Sequence, residues 1–167
     1  MKVAFVDRDG TINNDYEDHK WRNVGEPVFI DGSLKALKEI RDRGYEIIIT
    51  NQYLINDGII TLTQYRKFTE KLIEKLNNNG IDILNIFYCP HSKNEKCNCF
   101  KSKTGLVDMA LKKYPDIELD KSFLVGDSIC DVQLGNKLRI ITFAINVNSS
   151  LLNYIWVDSL LGIIKYL

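Results

Sequence analysis

Five short apolar runs, each separated from the next by a segment of helical pattern, constrain the fold of this chain most strongly. They are KVAFV (2–6), EIIIT (46–50), ILNIFYC (83–89), SFLVG (122–126) and IITFAI (140–145). Runs of this kind are typical of strands that are buried on both faces in a parallel sheet. The alternation with helices therefore predicts an α/β fold, with an open parallel sheet covered by helices on both faces.

The segments between these runs predict three helices. The first ends near Gly44, a common residue at a helix C-terminus. The second begins at a capping box of Thr61 and Gln64 and continues to Gly80. The third is closed by Pro115. Their apolar stripes are Leu34, Leu37 and Ile40; Tyr65, Phe68, Leu72, Ile73 and Leu76; and Leu106, Met109, Ala110 and Tyr114.

The C-terminal segment LLNYIWVDSLLGIIKYL is apolar enough to require a decision between a membrane span and a core helix. Asp158 lies in its middle, and the segment is short for a bilayer crossing. Its apolar residues recur at helical spacing, so we predict a final helix docked on the core. These residues are Leu152, Ile155, Trp156, Leu160, Ile163, Ile164 and Leu167.

Length and charge limit the possible partners. A chain of 167 residues suits one domain, and we expect residues 1–167 to form it. The 22 basic and 22 acidic residues give a net charge of zero, which favours a small substrate over nucleic acid. Asp7 interrupts the first apolar run before a signal core could form. We therefore expect a cytoplasmic monomer without a membrane partner.

Polar side chains follow the predicted strands where each strand ends. In an open parallel sheet, these carboxyl ends share one edge, and ligands bind beyond it. The sequence thus predicts that several polar segments meet at one site. The residues are Asp7, Asp9, Thr50, Asn51, Lys101 and Asp127.

This set of side chains suits phosphoryl transfer. Neighbouring carboxylates repel one another unless a hard cation such as Mg²⁺ binds between them. One aspartate can attack phosphorus to form an aspartyl-phosphate, and a second carboxyl group can protonate the leaving group and then activate water. The hydroxyl, amide and ammonium groups would hold the phosphoryl oxygens.

The same segments resemble the motifs of the haloacid-dehalogenase-like phosphatases, whose sheet is Rossmann-like. FVDRDGTIN is similar to the first motif and IITNQ to the second, Lys101 can serve as the third, and FLVGDSICD resembles the fourth. The resemblance implies that Asp7 is the nucleophile and Asp9 the general acid/base. It also implies that Thr50 and Lys101 hold the phosphoryl group.

The resemblance further implies a magnesium site. Its ligands would be Asp7, Asp127 and the backbone carbonyl of Asp9, with Asp131 in support from a second layer.

A cluster of cysteines precedes the third motif. Cys89, His91, Cys97 and Cys99 offer three thiolates and one imidazole within residues 89–99, which suits a tetrahedral Zn²⁺. In a reducing compartment, clustered cysteines indicate a metal site rather than disulfides. Because four protein ligands leave no open position, we predict that this zinc loop is structural.

The zinc loop resembles that of the small branch of the family without a large cap domain. Members of this branch hydrolyse D-glycero-D-manno-heptose 1,7-bisphosphate or histidinol phosphate. Two cations of the branch pattern are replaced here, an arginine by Phe100 and a basic residue by Ser128. Residues 10–28, residues 52–60 and the zinc loop are expected to select the substrate. The candidate substrate-binding residues are Arg8, Asn51, Gln52, Phe100 and Ser128.

The prediction is thus a Mg²⁺-dependent phosphatase with structural zinc that acts on a phosphorylated sugar, most like heptose bisphosphate. Histidinol phosphate is the alternative substrate. Two non-hydrolytic alternatives are a phosphoaspartate receiver and a zinc-dependent binding module with an inactive site. The TNQ motif also occurs in phosphatase domains that trim DNA 3′ ends, but the neutral charge and the zinc loop disfavour that function.

Overall fold

Six parallel strands form a single sheet in the computed structural model, which describes residues 1–52 and 54–167. Of the predicted loop 52–60, Tyr53 lies outside the described residues. The strands are β1 (Val3–Asp7), β2 (Glu46–Gln52), β3 (Asn85–Cys89), β4 (Phe123–Gly126), β5 (Ile141–Ile145) and β6 (Ile155–Val157). Their order is β3-β2-β1-β4-β5-β6. The first five strands match the predicted runs to within two residues.

Four α-helices connect the strands. They are α1 (Ser33–Asp42), α2 (Leu62–Asn78), α3 (Gly105–Lys113) and α4 (Ile129–Leu138). Short 3-10 helices span Asp18–Asn23, Leu119–Lys121 and Leu161–Tyr166. The capping box of α2 is present, because Thr61 N donates to Gln64 Oε1 at 2.8 Å and Gln64 N donates to Thr61 Oγ1 at 3.1 Å.

Helices cover both faces of the sheet, as predicted. On one face, Ala4 and Val6 of β1 belong to a core cluster with residues of α1 and α2. On the other, Val3 and Phe5 belong to a cluster with residues of α3 and α4. Alternate residues of β1 thus face opposite layers, which accounts for its continuous apolar sequence.

The C-terminal segment differs from the predicted helix. Its residues form β6, a turn and the 3-10 helix Leu161–Tyr166. The β-branched residues Ile155 and Val157 pair with β5, so strand pairing outweighs the helical spacing. Trp156 is consequently half exposed, whereas Leu160 and Ile163 are buried in the core as predicted.

Helix α4 was not predicted, although the sequence carries its N-terminal signal. Ser128 is the N-cap, and its hydroxyl accepts a hydrogen bond from Asp131 N in a capping box. Cys130 therefore lies in the first turn of a helix rather than in an irregular turn.

The connections that surround the sheet edge are loops and one 3-10 helix. In the described part of the chain, no segment inserts a cap domain between the core elements. No described helix is both long and apolar enough to cross a membrane.

Candidate active site

The predicted site residues lie where the direction of strand succession reverses. Strand β1 pairs with β2 on one side and with β4 on the other. Asp7 ends β1 opposite Thr50, and Asp127 directly follows β4. The crevice at such a switch point is the usual ligand site of an open α/β sheet.

Three carboxylates converge in this crevice. Each of Asp7, Asp127 and Asp131 offers an oxygen within 4.8 Å of the other two. Asp131, for which the resemblance implies a supporting role, lies in the same cluster. The reason is its position at N3 of α4, where the capping box turns its side chain toward the helix N-terminus.

Lys101 is the cation of this cluster. Its ammonium group contacts Asp7, lies 2.8 Å from Asp131 Oδ1 and donates to the Thr50 carbonyl at 2.9 Å. The side chain is almost fully buried. Burial acts to lower the pKa of Lys101, but the charges of Asp131 and Asp7 outweigh it and raise the pKa.

The carboxylates carry more negative charge than Lys101 neutralises. Burial raises the pKa of Asp7 well above its usual range; Lys101 opposes this rise, and repulsion from Asp131 and Asp127 adds to it. Burial, with Asp131 and Asp15, raises the pKa of Asp127 to about 6. A hard divalent cation would relieve this repulsion. The carboxylate donors suit Mg²⁺, and their oxygens, within 4.8 Å of one another, need only a small approach to reach the separations of at most about 4.2 Å between its ligands.

Gly10 allows this close packing. Its φ is +82°, and a Cβ built there would lie 1.9 Å from Asp127 Oδ2. The Asp127 carboxylate thus occupies the space that any other side chain at position 10 would need.

Asp9 lies at the crevice but outside the carboxylate cluster. Arg8 Nε and Nη2 donate to its two oxygens at 2.8 and 2.7 Å, and Asn13 Nδ2 donates to Oδ1 at 2.9 Å. Its side chain is 17% exposed and lines the cavity. These bonds fix the orientation of its carboxyl group.

Arg8 does not occupy the predicted substrate-contact position. It is fully buried. The side chain turns away from the crevice because aromatic rings and the Asp9 carboxylate receive its guanidinium group.

The cavity above the carboxylates brings together most of the predicted residues. Asn51, Gln52 and Ser128 line it, while Thr50 is buried beneath. Four further lining residues lie in the predicted substrate-selecting segments 10–28 and 52–60, but no motif singled them out individually: Asp15, Asp18, Trp21 and Leu54. The full lining adds Asp7, Asp9, Lys101, Asp127 and Asp131.

The predicted zinc ligands converge at the end of β3. Cys89 Sγ lies 3.7 Å from Cys97 Sγ and 3.0 Å from Cys99 Sγ, and His91 Nδ1 lies 3.5 Å from Cys89 Sγ and 3.2 Å from Cys99 Sγ. A tetrahedral Zn²⁺ would separate such ligands by about 3.5–3.8 Å. The three thiols and the imidazole therefore fit this ion with small adjustments.

Phe100 connects the zinc loop to the substrate side. It packs against the core cluster beneath α3 and also lines a second cavity beside the first. Gln52, Asp18 and Leu54 line both cavities, and Lys93 lines the second. The two cavities thus adjoin at these three residues.

Comparisons with known proteins agree with this geometry. The family described as Polynucleotide kinase 3 phosphatase matches residues 2–149. A D-glycero-alpha-D-manno-heptose-1,7-bisphosphate 7-phosphatase of Photorhabdus laumondii is 38% identical over 148 residues, 84% of this chain and 79% of the relative. A probable heptose-1,7-bisphosphate 7-phosphatase of Thermoplasma volcanium is 39% identical over 128 residues, 76% of this chain and 86% of the relative.

A solved structure shares the fold. It is a D,D-heptose 1,7-bisphosphate phosphatase from B. bronchiseptica, described in complex with magnesium and phosphate, at 21% identity. The TM-score is 0.86, and the alignment covers 99% of this chain and 97% of that one. The resemblance drawn from the four motifs is confirmed. The chain belongs to the Polynucleotide kinase 3 phosphatase family, with the haloacid-dehalogenase-like fold, and it is a phosphatase.

Proposed function

We propose that this phosphatase hydrolyses a small phosphorylated sugar with Mg²⁺, through an aspartyl-phosphate on Asp7. The observation that carries the proposal is the cluster of Asp7, Asp127 and Asp131 beside Lys101 at the sheet switch point. The relatives named as heptose-1,7-bisphosphate 7-phosphatases make that sugar the first substrate to test.

In the first step, a carboxylate oxygen of Asp7 attacks phosphorus as the ester P–O bond breaks. The departing oxygen takes a proton from the carboxyl group of Asp9. Lys101 and the Asn51 amide hold the phosphoryl oxygens; the Asn51 side chain is 1% exposed and lines the cavity. Asp7, Asp127 and the Asp9 carbonyl, supported by Asp131, would hold Mg²⁺, which would supply positive charge near the phosphoryl group.

In the second step, Asp9 accepts a proton from water as the water oxygen attacks phosphorus. The bond between phosphorus and the Asp7 oxygen breaks, and inorganic phosphate leaves. Asp9 is then protonated again, so the cycle needs no further proton donor.

Zn²⁺ in the loop 89–99 is proposed to be structural. Four side chains would complete its coordination, which leaves no place for a reacting water. The loop leads directly into Phe100 and Lys101, so its order determines where the ammonium group lies. Four free cysteines also suit a reducing compartment such as the cytoplasm.

The charges of the cavity favour a small substrate over nucleic acid, although the family description names a polynucleotide. Among the described lining residues, Lys101 is the one basic side chain, whereas six are aspartates. Nucleic acid requires several phosphate-binding cations. The basic side chain of Lys93 lines the adjoining cavity and is the proposed contact for a second phosphate of a sugar bisphosphate. We propose that the protein acts as a monomer on such a molecule.

Histidinol phosphate is the second candidate, and the adjoining cavity supplies the reason. Phe100 lines it together with Asp18 and Asp57. An aromatic ring can stack on an imidazole, and the two carboxylates would attract the amine of this substrate.

The test is phosphate release from a panel containing both heptose 1,7-bisphosphate anomers, a sugar monophosphate, histidinol phosphate and a 3′-phosphorylated oligonucleotide. Each is assayed with Mg²⁺ and with EDTA, using Asp7→Asn as the inactive control. The proposal expects Mg²⁺-dependent release with the highest kcat/KM on a sugar phosphate. Highest activity on the oligonucleotide, or release that persists in Asp7→Asn, would contradict it.

A further inference from the structure

A fully buried arginine stands behind the proposed proton donor. Arg8 is 0% exposed, and its Nε and Nη2 atoms donate to the two oxygens of Asp9. Such a fork constrains the carboxyl group in both position and plane, which a single point charge does not. Oδ1 also accepts from Asn13, so Oδ2 is the oxygen better able to exchange a proton.

Among the residues that the structure describes, three aromatic rings lie around the guanidinium group, and we call them the aromatic cage: Trp21, Tyr65 and Phe68. The Arg8 Cζ atom lies 4.8 Å from the centre of the Phe68 ring and 5.7 Å from those of the other two. These distances are within the range of cation–π attraction, which is stronger when the cation is desolvated. The cage rings are themselves buried.

The cage joins two parts of the chain that are distant in sequence. Trp21 lies in the 3-10 helix Asp18–Asn23 at the cavity, and the other two rings lie on α2. Gln64 Nε2 donates to the Arg22 carbonyl at 3.3 Å, and Lys71 donates to the Gly25 carbonyl at 3.0 Å. Helix α2 therefore holds the loop that closes the cage.

We propose that Arg8 and the aromatic cage form a positioning device for the carboxyl group of Asp9. Arg8 touches no reacting atom and acts through the orientation of Asp9. The device makes proton transfer depend on α2 and on the loop that lines the cavity. This inference rests on the proposed function, because it explains how Asp9 is oriented to accept a proton when the aspartyl-phosphate is hydrolysed.

The chemistry separates this role from a structural one. With p-nitrophenyl phosphate the leaving phenolate needs no proton, so formation of the aspartyl-phosphate does not require Asp9. Asp9 then gives its unused proton to solvent, because hydrolysis of the aspartyl-phosphate still requires its carboxylate to accept a proton from water. A misplaced Asp9 therefore slows the second step selectively.

The experiment uses stopped-flow release of p-nitrophenolate by Arg8→Lys and Phe68→Leu. Arg8→Lys keeps the positive charge but removes the paired hydrogen bonds to the two Asp9 oxygens. Phe68→Leu removes one ring of the aromatic cage and keeps an apolar side chain. In both variants we expect a rapid release of about one equivalent of p-nitrophenolate per enzyme, at the wild-type rate. The steady phase that follows should be at least about 10-fold slower than that of the wild type. With a sugar phosphate, whose alkoxide needs the proton, both steps should slow.

Tyr45→Leu is the matched control, since Tyr45 packs against Phe123 in another part of the core. It should lose thermal stability without a change in the two phases. Equal slowing of both phases in Phe68→Leu, or an unchanged steady phase, would overturn the inference even if Arg8→Lys did not fold. A wild type that hydrolyses none of these esters would instead overturn the proposed function, and the inference with it.

Discussion

Replacing Gly10 with alanine places a methyl group against the Asp127 carboxylate. The added Cβ would lie 1.9 Å from Oδ2, and contacts under 3.0 Å essentially never occur for real Cβ atoms. The carboxylate must therefore move by more than 1 Å, from 1.9 Å to at least 3.0 Å. Asp127 directly follows β4 and cannot retreat far without disturbing the proposed magnesium site.

Two costs follow, and they can be separated. The first is backbone strain, since a positive φ costs a residue with a Cβ roughly 1–2 kcal/mol. The second is displacement of a proposed metal ligand, because an error of about 1 Å in a catalytic group can lower the rate about 100-fold. Gly80→Ala isolates the first cost, because Gly80 has a φ of +71° and nothing within 4 Å of its Cβ position.

The assay is kcat as a function of Mg²⁺ concentration, together with thermal unfolding of both variants. Gly80→Ala should lose stability and keep the wild-type Mg²⁺ dependence. Gly10→Ala should lose about 100-fold in kcat and require more Mg²⁺. If the two variants showed the same Mg²⁺ dependence, Asp127 would not be the ligand that this reasoning requires.

Three further predictions follow from the same geometry. Asp9→Asn should lower kcat about 10²–10⁴-fold while the Mg²⁺ concentration for half activation stays near the wild-type value, because its carboxyl group lies outside the cluster; a large rise in that concentration would argue against its role. Cys97→Ser should reduce the zinc content and the melting temperature together, and retention of one zinc per chain would refute this assignment. With zinc bound and no added Mg²⁺, the stability of the protein should rise as the pH falls from 7 to 5. The raised pKa of Asp127, about 6, means that its proton binds more tightly in the folded than in the unfolded state. Asp127→Asn should weaken this dependence of stability on pH. An unchanged slope of stability against pH would show that Asp127 is not its cause.

Burial of strands on both faces explains why the sheet was predictable. The runs of β1, β2 and β4 lie between two helical layers, so their apolar pattern is unbroken and their ends are marked by polar residues. The rule that ligands bind at the carboxyl ends then brought Asp7, Thr50 and Asp127 to one edge without structural information.

The C-terminal segment shows where sequence pattern is insufficient. Helical spacing at Leu160 and Ile163 correctly indicated burial in the core, but it did not indicate the type of element. The segment forms a strand because Ile155 and Val157 pair with the edge of β5. Pairing of this kind depends on what lies nearby in space, which local spacing does not reveal.

Arg8 illustrates the same limit within the site. The sequence analysis placed it among the candidate substrate-binding residues. The rings that bury it come from the 3-10 helix Asp18–Asn23, which carries Trp21, and from α2, which carries Tyr65 and Phe68. The apolar stripe of α2 was predicted, but its contact with Arg8 depends on the fold.

The proposal that Asp7 carries the phosphoryl group is tested most directly by trapping that group during turnover. The protein is mixed with excess substrate and Mg²⁺, quenched in acid within milliseconds, digested and analysed by mass spectrometry. We expect one phosphoryl group on the peptide that contains Asp7, converted by hydroxylamine to the hydroxamate and absent from Asp7→Asn. Phosphate release at the full rate with no labelled peptide, or a label on another residue, would contradict the account.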